Sequence, residues 1–210
     1  MKSCIAATDR RCTGCASASP AERCFVRRWS PRALSGEEIS EGELLSLFEA
    51  ARWAPSSYNG QPWRFLYARR GTPAWQTFYD LMVEFNQSWA GEAAALVVIV
   101  SRETFEHNGK PARTHSFDAG AAWMSLALQA TLSGLVAHGM QGFDYDRAKE
   151  VLGVPDGYQV EAMVAIGRPG ERDDLPEKMQ KTEQPNSRKN VSEIAFEGAF
   201  PEREPNEEEG

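Results

Sequence analysis

Between positions 50 and 65 the chain reads Ala-Ala-Arg-Trp-Ala-Pro-Ser-Ser-Tyr-Asn-Gly-Gln-Pro-Trp-Arg-Phe. Pro55 stops the apolar-periodic segment that runs up to Trp53. Pro62 forces the residue before it into an extended conformation, and strand formers follow directly. The intervening loop carries two hydroxyls (Ser56, Ser57) and two amides (Asn59, Gln61) between rigid elements. Groups held in this way recognise a flat polar heterocycle by hydrogen bonds, and the same residue types also make an ordinary surface turn.

Two further stretches bear on the same kind of ligand. Arg27-Arg28-Trp29-Ser30-Pro31-Arg32 places four guanidinium or hydroxyl groups suited to phosphate within six residues, because the planar Arg fork gives paired, charge-assisted hydrogen bonds. The alternative for such a cluster is a solvated basic patch. In Leu135-Val136-Ala137-His138-Gly139-Met140-Gln141-Gly142-Phe143-Asp144, the two glycines let main chain approach a ligand without a side chain in the way. Asp144 is also placed to cap a helix over 145–152. His138 reads either as a proton donor or as a packed, hydrogen-bonded core histidine.

Several elements must position these groups. Ser35-Gly36-Glu37-Glu38 and Ser40-Glu41-Gly42-Glu43 both have the pattern of a capping box, and Leu44, Leu47, Phe48 and Ala51 follow the second at helical spacing. Trp75, Phe78, Tyr79, Met82, Phe85 and Trp89 predict one amphipathic helix with an aromatic face. The run 94–100 predicts a strand apolar on both faces. The polar stretch 102–114 reads as a loop, 116–132 as a long helix with a small-residue face, and 160–167 as another strand. The segment 170–184 reads as extended.

Composition narrows the function classes. The chain has 210 residues, enough for one sizeable core, with 41% hydrophobic and 25% charged residues. The net charge of −7 argues against a general nucleic-acid binder. Five glutamates lie in the stretch 202–209, which reads as a disordered acidic tail. No apolar run approaches the roughly 18 residues of a membrane span, and no secretory leader is evident, so the expectation is a cytoplasmic protein. All four cysteines (Cys4, Cys12, Cys15 and Cys24) fall in the first 24 residues. Cys12-Thr13-Gly14-Cys15 has the spacing of a metal or iron–sulfur ligand pair, but the other two fit neither a zinc ribbon nor a ferredoxin run. The preferred reading is a disordered leader over 1–24, with no metal, ahead of a domain over 25–200 and a tail over 201–210.

The wording Ala-Arg-Trp-Ala-Pro-Ser-Ser-x-Asn-x-Gln-Pro-Trp-Arg-Phe closely resembles the signature of the nitroreductase family, the FMN-dependent NAD(P)H oxidoreductases. Arg28, Ser30 and Arg32 match that family's Arg-x-Ser-x-Arg/Lys motif. Gly142-Phe143-Asp144 resembles its Gly-Gly-Phe-Asp-type turn, and Leu-Gly-Val-Pro-x-Gly-Tyr with Ala-Ile-Gly-Arg-Pro resembles its closing pattern. The resemblance covers about 27–200. It implies an α+β fold, with a mainly antiparallel sheet of four or five strands flanked by helices, and an intertwined homodimer with two FMN sites at the subunit interface. Arg28 would grip the FMN phosphate, with Arg188 as second phosphate ligand and Lys189 as a weaker choice. Arg32 would lie by the pyrimidine edge, and Trp29 would contribute backbone at most. The loop of Ser56, Ser57 and Asn59 would serve the flavin of the partner chain, Pro55 and Gln61 would also bind the cofactor, and the main chain of Met140, Gln141 and Gly142 would face flavin N5. A final strand-like segment would follow Arg188-Lys189. The implied chemistry is ping-pong electron transfer from NADH or NADPH through FMN to a small acceptor such as a nitroaromatic or quinone, with no side chain required as acid or base. Two other readings stay open: a specialised flavin enzyme of the same fold acting on a biosynthetic intermediate, and an FMN-binding protein with little turnover.

Overall fold

The computed structural model describes residues 21–201. At its centre is an antiparallel sheet of four strands: β1 (Trp63–Arg69), β2 (Ala95–Arg102), β3 (Val136–Met140) and β4 (Tyr158–Gly167), in the spatial order β1-β2-β4-β3. β2 is buried on both faces, as its unbroken apolar run requires. Leu96, Val98 and Val100 enter one core layer, while Val97 and Ile99 enter the other.

The second layer is covered by α2 (Glu41–Arg52) and α5 (His115–Leu132). α2 starts at a full capping box: Ser40 Oγ accepts from the Glu43 N–H at 3.2 Å, and Glu43 Oε2 accepts from the Ser40 N–H at 2.8 Å. Ser35 starts no helix, and its hydroxyl instead closes a short turn on the Glu37 N–H. α5 brings Ala119, Ala122, Ala127 and Ala130 against α2 and the sheet, where small side chains allow close approach.

On the other face, the expected single aromatic helix is two short ones, α3 (Trp75–Tyr79) and α4 (Glu84–Ala90). Tertiary pairing breaks the run: Met82 bridges Phe143, the Val83 N–H donates to the Gly142 carbonyl at 3.0 Å, and the Asp144 N–H donates to the Leu81 carbonyl at 2.9 Å. Phe78, Met82 and Trp89 are buried and Trp75 and Tyr79 pack against the same core, whereas Phe85 is exposed. α6 (Tyr145–Val151) begins at Asp144, whose carboxylate accepts from the Arg147 N–H at 2.9 Å.

Two terminal regions differ from expectation. A short helix, α1 (Arg23–Arg27), spans the expected boundary between leader and domain and contains Cys24 as a free thiol. Cys4, Cys12 and Cys15 lie outside the described residues, as does the acidic stretch 202–210. The segment 170–184 is not extended: it folds into a 3-10 turn (Arg172–Asp174) and the one-turn helix α7 (Glu177–Gln180). After Arg188-Lys189 comes a 3-10 turn (Val191–Glu193) rather than a strand. A strand needs a ladder partner, and no described residue of the same chain pairs with this segment.

Candidate functional site

The basic segment 28–33 is fixed on three sides. Arg28 caps the C-terminus of α1, and its Nη1 donates to Ser30 Oγ at 3.2 Å. The Pro31 carbonyl lies 2.9 Å from Nδ1 of His138 on β3. Oε1 of Glu183 accepts the backbone N–H of both Arg32, at 2.6 Å, and Ala33, at 3.0 Å. The Glu183 side chain is 4% exposed, so this carboxylate holds the segment from inside the protein.

Arg188 arrives from the C-terminal segment at the same place. With Arg28 and Ser30 it lines a cavity of about 670 Å³ that Trp123, Gly139, Met140 and Gln141 also line. A neighbouring cavity of about 370 Å³ adds Trp29, Arg32 and His138. Burial and the nearby Arg188 guanidinium push the Arg28 pKa below its ordinary value. Arg188 Nη1 is turned to the carbonyls of Asn186 (3.0 Å) and Ser187 (2.9 Å). Neither guanidinium has a carboxylate partner among the described residues. Two facing cations without an intervening anion are mutually repulsive, and a phosphate between them relieves that repulsion. Arg32 differs, because Nη1 lies 3.7 Å from Glu183 Oε2 and its guanidinium lies over the Phe85 ring.

The glycine-framed strand end supplies a different kind of group. The N–H groups of Gln141 and Gly142 meet no protein acceptor among the described residues. Packing by itself calls for glycine at 142. A Cβ there would lie 2.6 Å from Asn86 Nδ2 and 3.1 Å from Val83 Cγ2, so the missing side chain serves packing on α4. Asn86 Nδ2 also donates to the Gly142 carbonyl at 2.9 Å, turning that oxygen inward. At Gly139 a Cβ would press on the Trp123 ring at 3.2 Å.

The loop from Pro55 to Gln61 stands apart. The Gln61 N–H donates to Ser56 Oγ at 3.0 Å, and Ser57–Asn59 forms a 3-10 turn closed by the Gly60 N–H on the Ser57 carbonyl at 2.9 Å. Gln61 is not extended as expected for the residue before Pro62, because its N–H bond to Ser56 Oγ draws it into the turn. Tyr58, Asn59 and Gln61 all have left-handed backbones, with φ of 52°, 55° and 44°. Non-glycine residues held there cost roughly 1–3 kcal/mol each, and such strain concentrates at functional sites. Asn59 and Gln61 line a cavity of about 700 Å³ with Tyr58, Arg64, Glu106 and His107, so the 102–114 loop borders it. This cavity shares no residue with those around Arg28.

Within one chain, therefore, Arg28, Trp29, Ser30, Arg32, Met140, Gln141 and Arg188 converge, with Gly142 beside them. Pro55, Ser56, Ser57, Asn59 and Gln61 form a separate group. Two residues that organise these groups escaped the sequence reading, Glu183 and Asp118. Asp118 accepts the Ser57 N–H. No local pattern marks a buried carboxylate in a polar run or in the first turn of a helix.

A family model described as the nitroreductase family matches residues 26–72 and 69–168. The chain belongs to the nitroreductase family. It is 34% identical over 145 residues to an uncharacterised 15.4 kDa protein in the ask 5′ region of Mycolicibacterium smegmatis, a match covering 65% of this chain and 97% of that protein. It is 29% identical over 182 residues to a protein named NADH dehydrogenase from Thermus thermophilus, covering 72% and 87%. A solved structure of an oxidoreductase containing FMN superposes with a TM-score of 0.87 at 45% identity, covering 92% of this chain and 99% of that one. The four-stranded antiparallel sheet between helical layers is thus the nitroreductase fold. Among the described residues no helix is long and apolar enough to cross a membrane, and no three His, Cys, Asp or Glu side chains cluster to hold a metal.

Proposed function

We propose that this protein is an FMN-dependent oxidoreductase that passes electrons from NADH or NADPH to a small electrophilic acceptor, a nitroaromatic or a quinone. One observation carries the reading: Arg28 and Arg188, close to each other and without a counter-anion among the described residues, line one cavity together with Gln141, whose N–H, like that of the adjoining Gly142, meets no protein acceptor. The residues fit the cofactor that the FMN-containing relative holds. Arg28, Ser30 and Arg188 take the phosphate. The Gln141 and Gly142 amides suit the polar edge of a flat ring, and the Trp123 side of the cavity supplies an apolar wall. Bound FMN contributes a redox centre that accepts hydride from a nicotinamide and returns electrons to a second substrate.

The separate Ser56–Gln61 group then belongs to the FMN held by a second copy of the chain, in an intertwined homodimer. Exposed apolar side chains suited to such an interface include Trp53 and Tyr58 beside the loop and Phe117 and Leu132 at the two ends of α5. Donor and acceptor use one cleft in turn, so turnover is ping-pong, and no side chain needs to act as acid or base.

Purified protein is expected to be yellow and to bleach anaerobically on addition of NADH or NADPH. Arg28→Ala should weaken FMN binding by about tenfold or more, the scale of a lost charge-assisted hydrogen bond. Colourless protein that takes up no FMN overturns the proposal.

A further inference from the structure

Apart from the edge-on packing of the Tyr58 ring against Phe105, the loop that bears Ser56, Ser57, Asn59 and Gln61 has, among the described residues, one side-chain hydrogen-bond anchor outside itself and its neighbouring strand. That anchor is Asp118, in the first turn of α5 and 5% exposed. Asp118 Oδ2 accepts the Ser57 N–H at 3.0 Å and the Thr114 hydroxyl at 3.2 Å. From Ser57 onward the backbone turns left-handed at Tyr58, Asn59 and Gln61, none of them glycine. That backbone relaxes unless something outside it fixes the first turn. Local bonds close the turn on itself, through the Asn59 N–H to the Ser56 carbonyl at 3.0 Å and the Gln61 N–H to Ser56 Oγ. They do not tie it to the body of the protein. Asp118 does so from a helix packed on both α2 and the sheet.

We infer that Asp118 is a positioning residue for cofactor retention: it never touches FMN, but it holds the strained Ser57–Gln61 turn in the shape that presents Asn59 and Gln61 outward. The inference rests on the FMN reading for its functional consequence and on the Asp118–Ser57 bond for its structural one. A buried carboxylate suits the task better than a hydroxyl. It accepts from two donors at once, and in the first turn of an 18-residue helix it also meets the favourable end of the helix dipole. The Asp118→Asn substitution keeps an acceptor oxygen in the same place and removes the charge, so charge and geometry separate in the variants.

The test measures two quantities on Asp118→Ala, Asp118→Asn and wild type. The first is amide hydrogen exchange across 56–61 in FMN-free protein, which does not depend on the cofactor reading. The second is the FMN dissociation constant, from flavin fluorescence. In Asp118→Ala, exchange across 56–61 should rise while that of β2 and the second half of α5 stays unchanged, and FMN should bind about tenfold more weakly or worse. Asp118→Asn should restore both to within about threefold of wild type, because the acceptor is retained. If Asp118→Ala does not fold, Thr114→Val carries the test by removing one of the two donors, with a smaller shift of the same sign in both readouts. Unchanged loop exchange in a folded Asp118→Ala or Thr114→Val protein overturns the inference. So does a rise in exchange spread evenly over α5 and the sheet, which marks a core residue only. Wild-type protein that ignores FMN overturns the cofactor reading and leaves the loop result standing.

Discussion

His138 links β3 to the basic segment and is the titratable group placed to report on that junction. Its Nδ1 lies 2.9 Å from the Pro31 carbonyl, its ring packs on Trp89 at 4.5 Å between centroids, and Arg28, Arg32 and Glu183 surround it. Burial first, and then the two guanidiniums, push its pKa below the ordinary 6.5, against the opposing pull of the Pro31 carbonyl and Glu183. The unfolded chain therefore binds more protons than the native one between the depressed value and 6.5. Stability is complete above that window and declines as the pH falls through it. Between about pH 7.5 and about pH 5.5, wild type should lose more unfolding free energy than His138→Asn, as read from urea titrations at each pH. A parallel loss in both proteins would assign the pH dependence elsewhere. Glu183 permits a sharper test. Its Oε1 satisfies two backbone N–H groups, while among the described residues Oε2 has only the 3.7 Å ion pair with Arg32 and no hydrogen bond. Glu183→Gln keeps the accepting oxygen and should cost little, whereas Glu183→Ala strands both N–H groups at roughly 1–3 kcal/mol apiece, measurable by the same titration.

At the scale of elements, α2 delivers the loop of Ser56 to Gln61, and its start is set by side chains within the first turn. Ser40→Ala removes the cap and should cost about 1 kcal/mol of unfolding free energy, with no effect on FMN affinity beyond what that stability loss explains. The same element shows what a sequence can reveal. The Ser40–Glu43 box, the Asp144 cap, the doubly buried β2 and the proline-bounded loop all arise from near neighbours, and each is found at its expected place. What escaped depends on partners distant in the chain. The aromatic spacing from Trp75 to Trp89 is helical throughout, yet Gly142 and Phe143 claim the backbone at 82–83 and split the helix. Register shifts between Ile99 and Val100, pairing Ile99 with Ala162 but Val100 with Val160, so Glu161 is left in a bulge on β4. There its Oε1 accepts from the Ser101 and Ser116 hydroxyls and lies 3.5 Å from His115 Nδ1, bolting the start of α5 to the sheet. No spacing rule joins residues 101, 115 and 161. The candidate site divides in the same way. Arg28 and Ser30 were legible as a motif, but Glu183, which holds the segment, and Asp118, which holds the loop, act across 150 and 61 positions respectively.

At the scale of the whole molecule, the division of the candidate ligands is itself informative. One chain gathers Arg28, Ser30, Gln141 and Arg188 around one cavity and Asn59 and Gln61 around another. If both groups serve one FMN across the homodimer proposed above, they come from two copies, and each copy gives half of two sites. This predicts complementation between defective chains. Arg28→Ala lacks the phosphate grip and Asn59→Ala lacks a loop contact, so each homodimer should hold FMN weakly at both sites. In a hybrid dimer made by co-expressing the two with different tags, one site combines Arg28→Ala with the loop of the Asn59→Ala chain and carries both defects. The other combines an intact Arg28 with an intact loop and carries none. Tandem-tag-purified hybrids should therefore bind one FMN per dimer with wild-type affinity, as read by flavin absorbance after ultrafiltration. If each chain instead served its own FMN, every site in the hybrid would keep a single defect and no tight site would appear. The stoichiometry of tight binding, one per hybrid dimer against none, thus decides whether the loop acts on its own chain or across the interface.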